Sequence, residues 1–141
     1  MYTGFLEIGI AIAVLIILTF LIPAIFFLIN LSKTISVCAI ENQTMTPGLV
    51  WLNFIPLFSL GWIIYTVLKV NESVKKEYIS RNKNVDELKS TQGVGLAFAI
   101  CIPCSIIPII GILSSIASFV LMIIYWVKTY NIRMELAQSN L

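Results

Sequence analysis

Residues 94–127 read VGLAFAICIPCSIIPIIGILSSIASFVLMIIYWV, thirty-four positions without a charge, interrupted by Pro103, Pro108 and Gly111. Whether this run crosses a membrane once or twice decides the fold. A single helix of that length would measure about 51 Å against a hydrocarbon core of roughly 30 Å. One crossing would then need a tilt of about 54°, beyond the usual limit of about 40°. Two short helices over 94–109 and 111–127, each about 24 to 26 Å long, fit better. Pro108 lacks an amide hydrogen and Gly111 carries no Cβ, so both suit a turn more than a helix interior. The alternative is three spans with one long kinked helix.

The rest of the chain agrees with a membrane setting. Of 141 residues 59% are apolar and 11% charged, against roughly 25% charged in soluble domains. The expected architecture is an all-α integral membrane protein of four transmembrane helices, residues 1–141 forming a single transmembrane domain. A net charge of +2, with the basic residues gathered in one connection, argues against nucleic acid.

The first span is expected over about 5–31, too long for the 7 to 15 apolar residues of a signal peptide and therefore retained. Pro23 should bend it. The following connection holds Lys33, Glu41 and Asn42-Gln43-Thr44, formally a glycosylation acceptor. Thr46-Pro47 has the composition of a helix start, and a second span follows over 47–70. A charged cytoplasmic loop over 71–92 comes next. The helix should run on into it, with Glu72 paired to Lys75 and Lys76 and Glu77 to Arg81. Asn82-Lys83-Asn84 should end that helix, and Asn84 with Glu87 offers a capping box for another.

Four alternating spans put Lys69, Lys75, Lys76, Arg81, Lys83, Lys89, Lys128 and Arg133 on one side and Lys33 alone on the other. The positive-inside rule makes the first side cytoplasmic, with both termini. The expected location is a bacterial cytoplasmic membrane.

The chain contains no histidine, no phosphate-cradling glycine loop and no paired carboxylates inside a span. No catalytic residue, cofactor or metal site is therefore expected. Two intramembrane polar candidates are Asn53, whose amide must find a partner in hydrocarbon, and Glu7, which can sit at the interface. Cys101-Ile102-Pro103-Cys104 resembles the dithiol of thioredoxin-like proteins and of four-helix membrane thiol oxidoreductases of the vitamin K epoxide reductase type. Those enzymes need a second cysteine pair, and only Cys38 is left here. A helix-packing role explains the cysteines more simply. Gly93, Ala97, Cys101 and Ser105 recur every four residues, and Gly111, Ser115 and Ser118 give the last span a similar small-residue face.

The run Trp51-x4-Pro56-Leu57-Phe58-x-Leu60-x-Trp62 and the ending Ile124-Tyr125-Trp126-Val127-Lys128 resemble small multi-span bacterial membrane proteins of the domain-of-unknown-function type. That resemblance implies a polytopic membrane fold and carries no activity. The expected function is non-enzymatic: helix–helix association as a homo-oligomer or as a small subunit of a membrane complex, with lipid and membrane protein as partners. An oligomeric pore or small transporter for apolar or cationic solutes is the second expectation, and a thiol oxidoreductase using Cys101 and Cys104 the third.

Overall fold

The computed structural model describes residues 2–139, with side chains described for 4–139. Four helices account for most of these: α1 (Tyr2–Val37), α2 (Ser59–Ser80), α3 (Asp86–Cys104) and α4 (Gly111–Gln138). Two 3₁₀ segments, Ile40–Asn42 and Pro47–Phe54, lie between α1 and α2, and no strand occurs among the described residues. Two of the helices, α1 from Gly4 onward and α4, are long and apolar enough to cross a membrane.

Each break has a local cause. The stretch from Ile55 to Phe58 separates the 3₁₀ segment from α2, because Pro56 cannot donate within a continuing helix. At the end of α2, Asn82 adopts a left-handed backbone (φ 54°). The Lys83 amide then donates to the Tyr78 carbonyl (2.9 Å) and the Asn82 amide to that of Ile79 (3.1 Å), the two bonds of a Schellman stop. Asn84 Oδ1 accepts from the Asp86 amide at 2.9 Å, an Asx turn just ahead of α3, but the N-cap is Val85 with no side-chain bond, so the expected Asn84–Glu87 capping box does not form. Between α3 and α4 the turn tightens until a Cβ on Gly111 would lie 2.5 Å from the Ser105 carbonyl oxygen, so this position requires glycine.

Side-chain contacts fix the helix directions. Phe20 meets Phe119, Phe27 meets Tyr125 and Asn30 bonds Thr129, so α1 and α4 advance together. Tyr125 bonds Asn71, and Arg81 bonds the Leu136 carbonyl, so α2 runs the same way. Only α3 runs back, with Ser90 beside Lys128 and the Cys101 carbonyl beside Ser114. The end of α1 meets α2 at Glu77, which accepts the Ala39 amide at 2.9 Å. From there to Ser59 is about 27 Å of helix, and the connection with its 3₁₀ segments must cover that descent.

These directions differ from the alternation expected for four spans. In that scheme α1 and α4 oppose one another and Lys33 stands apart from the other cations. Here the two helices are parallel, so residue 4 and residue 139 lie at opposite ends of the bundle. Lys33 shares a cleft with Arg133. Lys75 and Lys89 border another. Lys69 and Lys76 pair with Glu72, Arg81 with Glu77, and Lys83 with Glu135 across to α4. With Lys128 bonded to Ser90, all nine basic residues occupy one end of the molecule.

Two further expectations are revised. The 47–70 stretch is divided by the turn at Ile55–Phe58. In the charged segment 71–92 helix continues through Ser80 and resumes at Asp86, as expected, but Lys75 takes no part in the Glu72 pairing.

The core is in two parts. One gathers Phe27, Leu31, Ile35, Val50, Val67, Val70, Phe98, Ala99 and Tyr125. The other, inside the charged end, joins Cys38, Val74, Tyr78, Leu88, Ile132 and Leu136. Residues 4–22 of α1 extend past this core and are exposed along their whole length.

Candidate functional site

The charged end is the most constrained part of the molecule. Glu77 is buried, yet its carboxylate is fully engaged: Oε1 accepts from Arg81 Nε at 2.7 Å, and Oε2 from the Ala39 amide (2.9 Å) and Asn42 Nδ2 (2.8 Å). Burial pushes its pKa up, but the bonds from Asn42, Ala39 and Arg81 outweigh that and hold it below the ordinary value. Arg81 continues the chain of bonds to the Leu136 carbonyl at 2.9 Å and to Ser139. Beside it, Glu135 accepts from the Tyr78 hydroxyl (2.8 Å) and Lys83 (2.6 Å). The Asn42 amide of the glycosylation motif is thus already committed to Glu77 and Ser80. This network ties the ends of α1, α2 and α4 together.

Around the middle of the bundle the small residues divide into two faces. Gly95 packs against Tyr125, whose ring leaves no room for a Cβ (2.5 Å to Cε2). Thr91, Phe98 and Ala99 lie on the same buried side of α3. Gly93 and Ala97 point outward, and nothing lies within 4 Å of a Cβ built on Gly93. Cys101 and Ser105 are half-buried at the margin. On α4 the buried positions are Gly111, Ser114 and Ser118, while Ser115 is exposed. The four-residue spacing therefore contains two registers, of which the chain itself uses Gly95 and Ala99.

Asn53 does find a partner, donating to Thr66 Oγ1 at 3.0 Å and to the Val50 carbonyl at 2.8 Å, although its Oδ1 is buried with no partner among the described residues. Glu7 lies in the exposed part of α1. Cys101 and Cys104 are free thiols, both half-buried, and Cys38 is buried.

Of the several clefts that face outward, two adjoin residues named above. One of about 390 Å³ lies between α1, α3 and α4, walled by Phe20, Ile102, Phe119 and Met122 with Ser105, Ser115 and Ser118 at its base. The Ser118 hydroxyl is buried with no partner among the described residues. The other, about 300 Å³, lies between α1 and α4 at the charged end and includes Asn30, Lys33 and Arg133. The described residues contain no group of three or more metal-ligating side chains. Comparisons with protein-family models, curated proteins and solved structures find no match to this chain.

Proposed function

We propose that the chain is a non-enzymatic integral membrane protein that acts through helix–helix association, as a homo-oligomer or as a small subunit of a membrane complex. The observation that carries this reading is the outward face of α3. Gly93 and Ala97 are exposed small residues, Gly93 at the cleft that Lys75 and Lys89 border and Ala97 one turn further along α3, one register away from the Gly95 face already used inside the chain. Small residues let helices approach closely, which in lipid is the main source of helix affinity. The exposed apolar residues 4–22 of α1 leave a second uncovered surface.

In this reading α1 crosses the bilayer with its charged end in the cytoplasm, as the positive-inside rule requires when every Lys and Arg is at that end. The α3–α4 pair enters from the same end and returns to it as a hairpin. Its turn carries exposed Ile106, Ile107, Ile109 and Ile110 and no charge, which suits hydrocarbon.

Native mass spectrometry from nanodiscs reads the copy number and any co-purified subunit together. A complex is expected, and Gly93→Leu should dissociate it. A monomer that brings down no other membrane protein would sink the proposal. The apolar cleft at Ser118 favours one second reading, a small transporter for apolar or cationic solutes, which predicts flux in proteoliposomes.

A further inference from the structure

The cleft between α1 and α4 at the charged end has the chemistry of a lipid headgroup site. Lys33 and Arg133 border it from the two helices, and among the described residues neither pairs with a carboxylate. Arg133 instead rests over the Tyr130 ring, 4.8 Å from its centre. None of the residues around the cleft is acidic. Phe26 and Ile29 form its apolar wall, and Trp126 and Tyr130 stand at the boundary between apolar and charged surface, where such rings settle at a membrane interface. The volume, about 300 Å³, matches the lower end of small-ligand pockets.

A further group points to the identity of the occupant. Asn30, 3% exposed, borders the cleft and donates through Nδ2 to Thr129 Oγ1 at 2.7 Å. Its Oδ1 is buried and lacks a partner among the described residues. An orphaned buried acceptor costs about 1–3 kcal/mol unless a donor reaches it. A bare phosphate supplies only acceptors, whereas a headgroup hydroxyl supplies the donor.

We propose that this cleft binds the headgroup of an acidic phospholipid bearing free hydroxyls, phosphatidylglycerol in type, with its phosphate opposite Lys33 and Arg133 and a glycerol hydroxyl toward Asn30. Basic pockets between membrane helices on the cytoplasmic side commonly hold acidic headgroups. The proposal rests on the membrane placement given above but not on helix association.

The test is lipid titration of the purified full chain in phosphatidylcholine nanodiscs, with occupancy read by native mass spectrometry. Phosphatidylglycerol is compared with phosphatidylmethanol, which has the same charge and no hydroxyl. Phosphatidylglycerol should bind saturably and several-fold more tightly than phosphatidylmethanol. Lys33→Gln and Arg133→Gln should each weaken it about fivefold, equivalent to about 1 kcal/mol per cation near a membrane surface. Arg133→Lys, which keeps the charge, should retain most of the affinity, and Lys75→Gln at the same end should change little. Equal binding of the two acidic lipids would overturn the hydroxyl contact and the choice of lipid. An unchanged affinity in both glutamine variants, or an equal loss in Lys75→Gln, would overturn the site. Displacement by inorganic phosphate would make the occupant a soluble anion instead. A chain that does not enter nanodiscs at all would count against the membrane reading itself, a result separate from loss of lipid preference.

Discussion

Gly95 and Tyr125 are in direct contact across the α3–α4 interface, with the ring edge 2.5 Å from where a glycine Cβ would stand. The ring cannot retreat easily, because it is fully buried and its hydroxyl donates to Asn71 Oδ1 at 2.9 Å. Gly95→Ala should therefore destabilise the fold by about 1–3 kcal/mol, the usual range for overpacking a core. Gly93→Ala, two residues away in open space, should leave monomer stability within about 0.5 kcal/mol. Thermal melts of the two variants in one detergent check this, and equal melting temperatures would contradict the packing described.

Glu77 is a buried carboxylate with three donors around it. Removing one partner of such a pair strands the other, so Glu77→Gln should cost about 3 kcal/mol. Its pKa is held below the ordinary 4.5 in the folded state. The stabilisation is accordingly complete above that value and is lost as pH falls through the lower folded value. Melting temperature should decline on acidification below about pH 4.5 in the wild type, and less steeply in Glu77→Gln.

The three cysteines should separate by reactivity. Burial pushes the Cys38 thiol up to about 12, with the Glu77 charge adding to the effect, so almost no thiolate forms at neutral pH. Alkylation of native protein should modify Cys101 and Cys104, which are half-buried, and leave Cys38 intact until the fold is opened. Peptide mapping after timed iodoacetamide treatment gives the order directly. Early modification of Cys38 would mean that the second core is loosely packed.

Helix direction is tested by labelling. In a background without the native cysteines, Lys33→Cys and Arg133→Cys should react with an impermeant maleimide from the same side of sealed vesicles, and Phe5→Cys from the other. Labelling of Lys33→Cys from the side opposite Arg133→Cys would restore alternating spans.

Helix content, the helical continuation through Glu77 and the stop at Asn82 are legible in the sequence because each rests on local chemistry: spacing of charges, a left-handed asparagine, a proline. Direction was not. A charge count assumes that every long connection crosses over, whereas the stretch from Ala39 to Phe58 carries the chain back down beside α2. The signal for this lay in Val70, Val74 and Tyr78, an apolar stripe within charged sequence, which the fold buries, Val70 in the first core and Val74 and Tyr78 in the second with Leu88 and Ile132. The packing stripe was legible as a period of four but not as a phase. Gly93 and Gly95 differ only in which of them meets a tyrosine thirty or so residues later, and no periodicity within α3 carries that information.

The collection of every lysine and arginine at one end bears on how the chain enters a bilayer. Carrying a single Lys or Arg across hydrocarbon costs about 2.5–3.5 kcal/mol even by the most lenient insertion scale. For the arrangement proposed, insertion translocates none of them, and Glu7 is the sole charged side chain of the described residues left at the far end. The α3–α4 pair can enter as a folded hairpin from the face where the ribosome works, led by an apolar tip. Its biogenesis then calls for a partition of greasy helix into lipid, with no hydrophilic segment among the described residues to export.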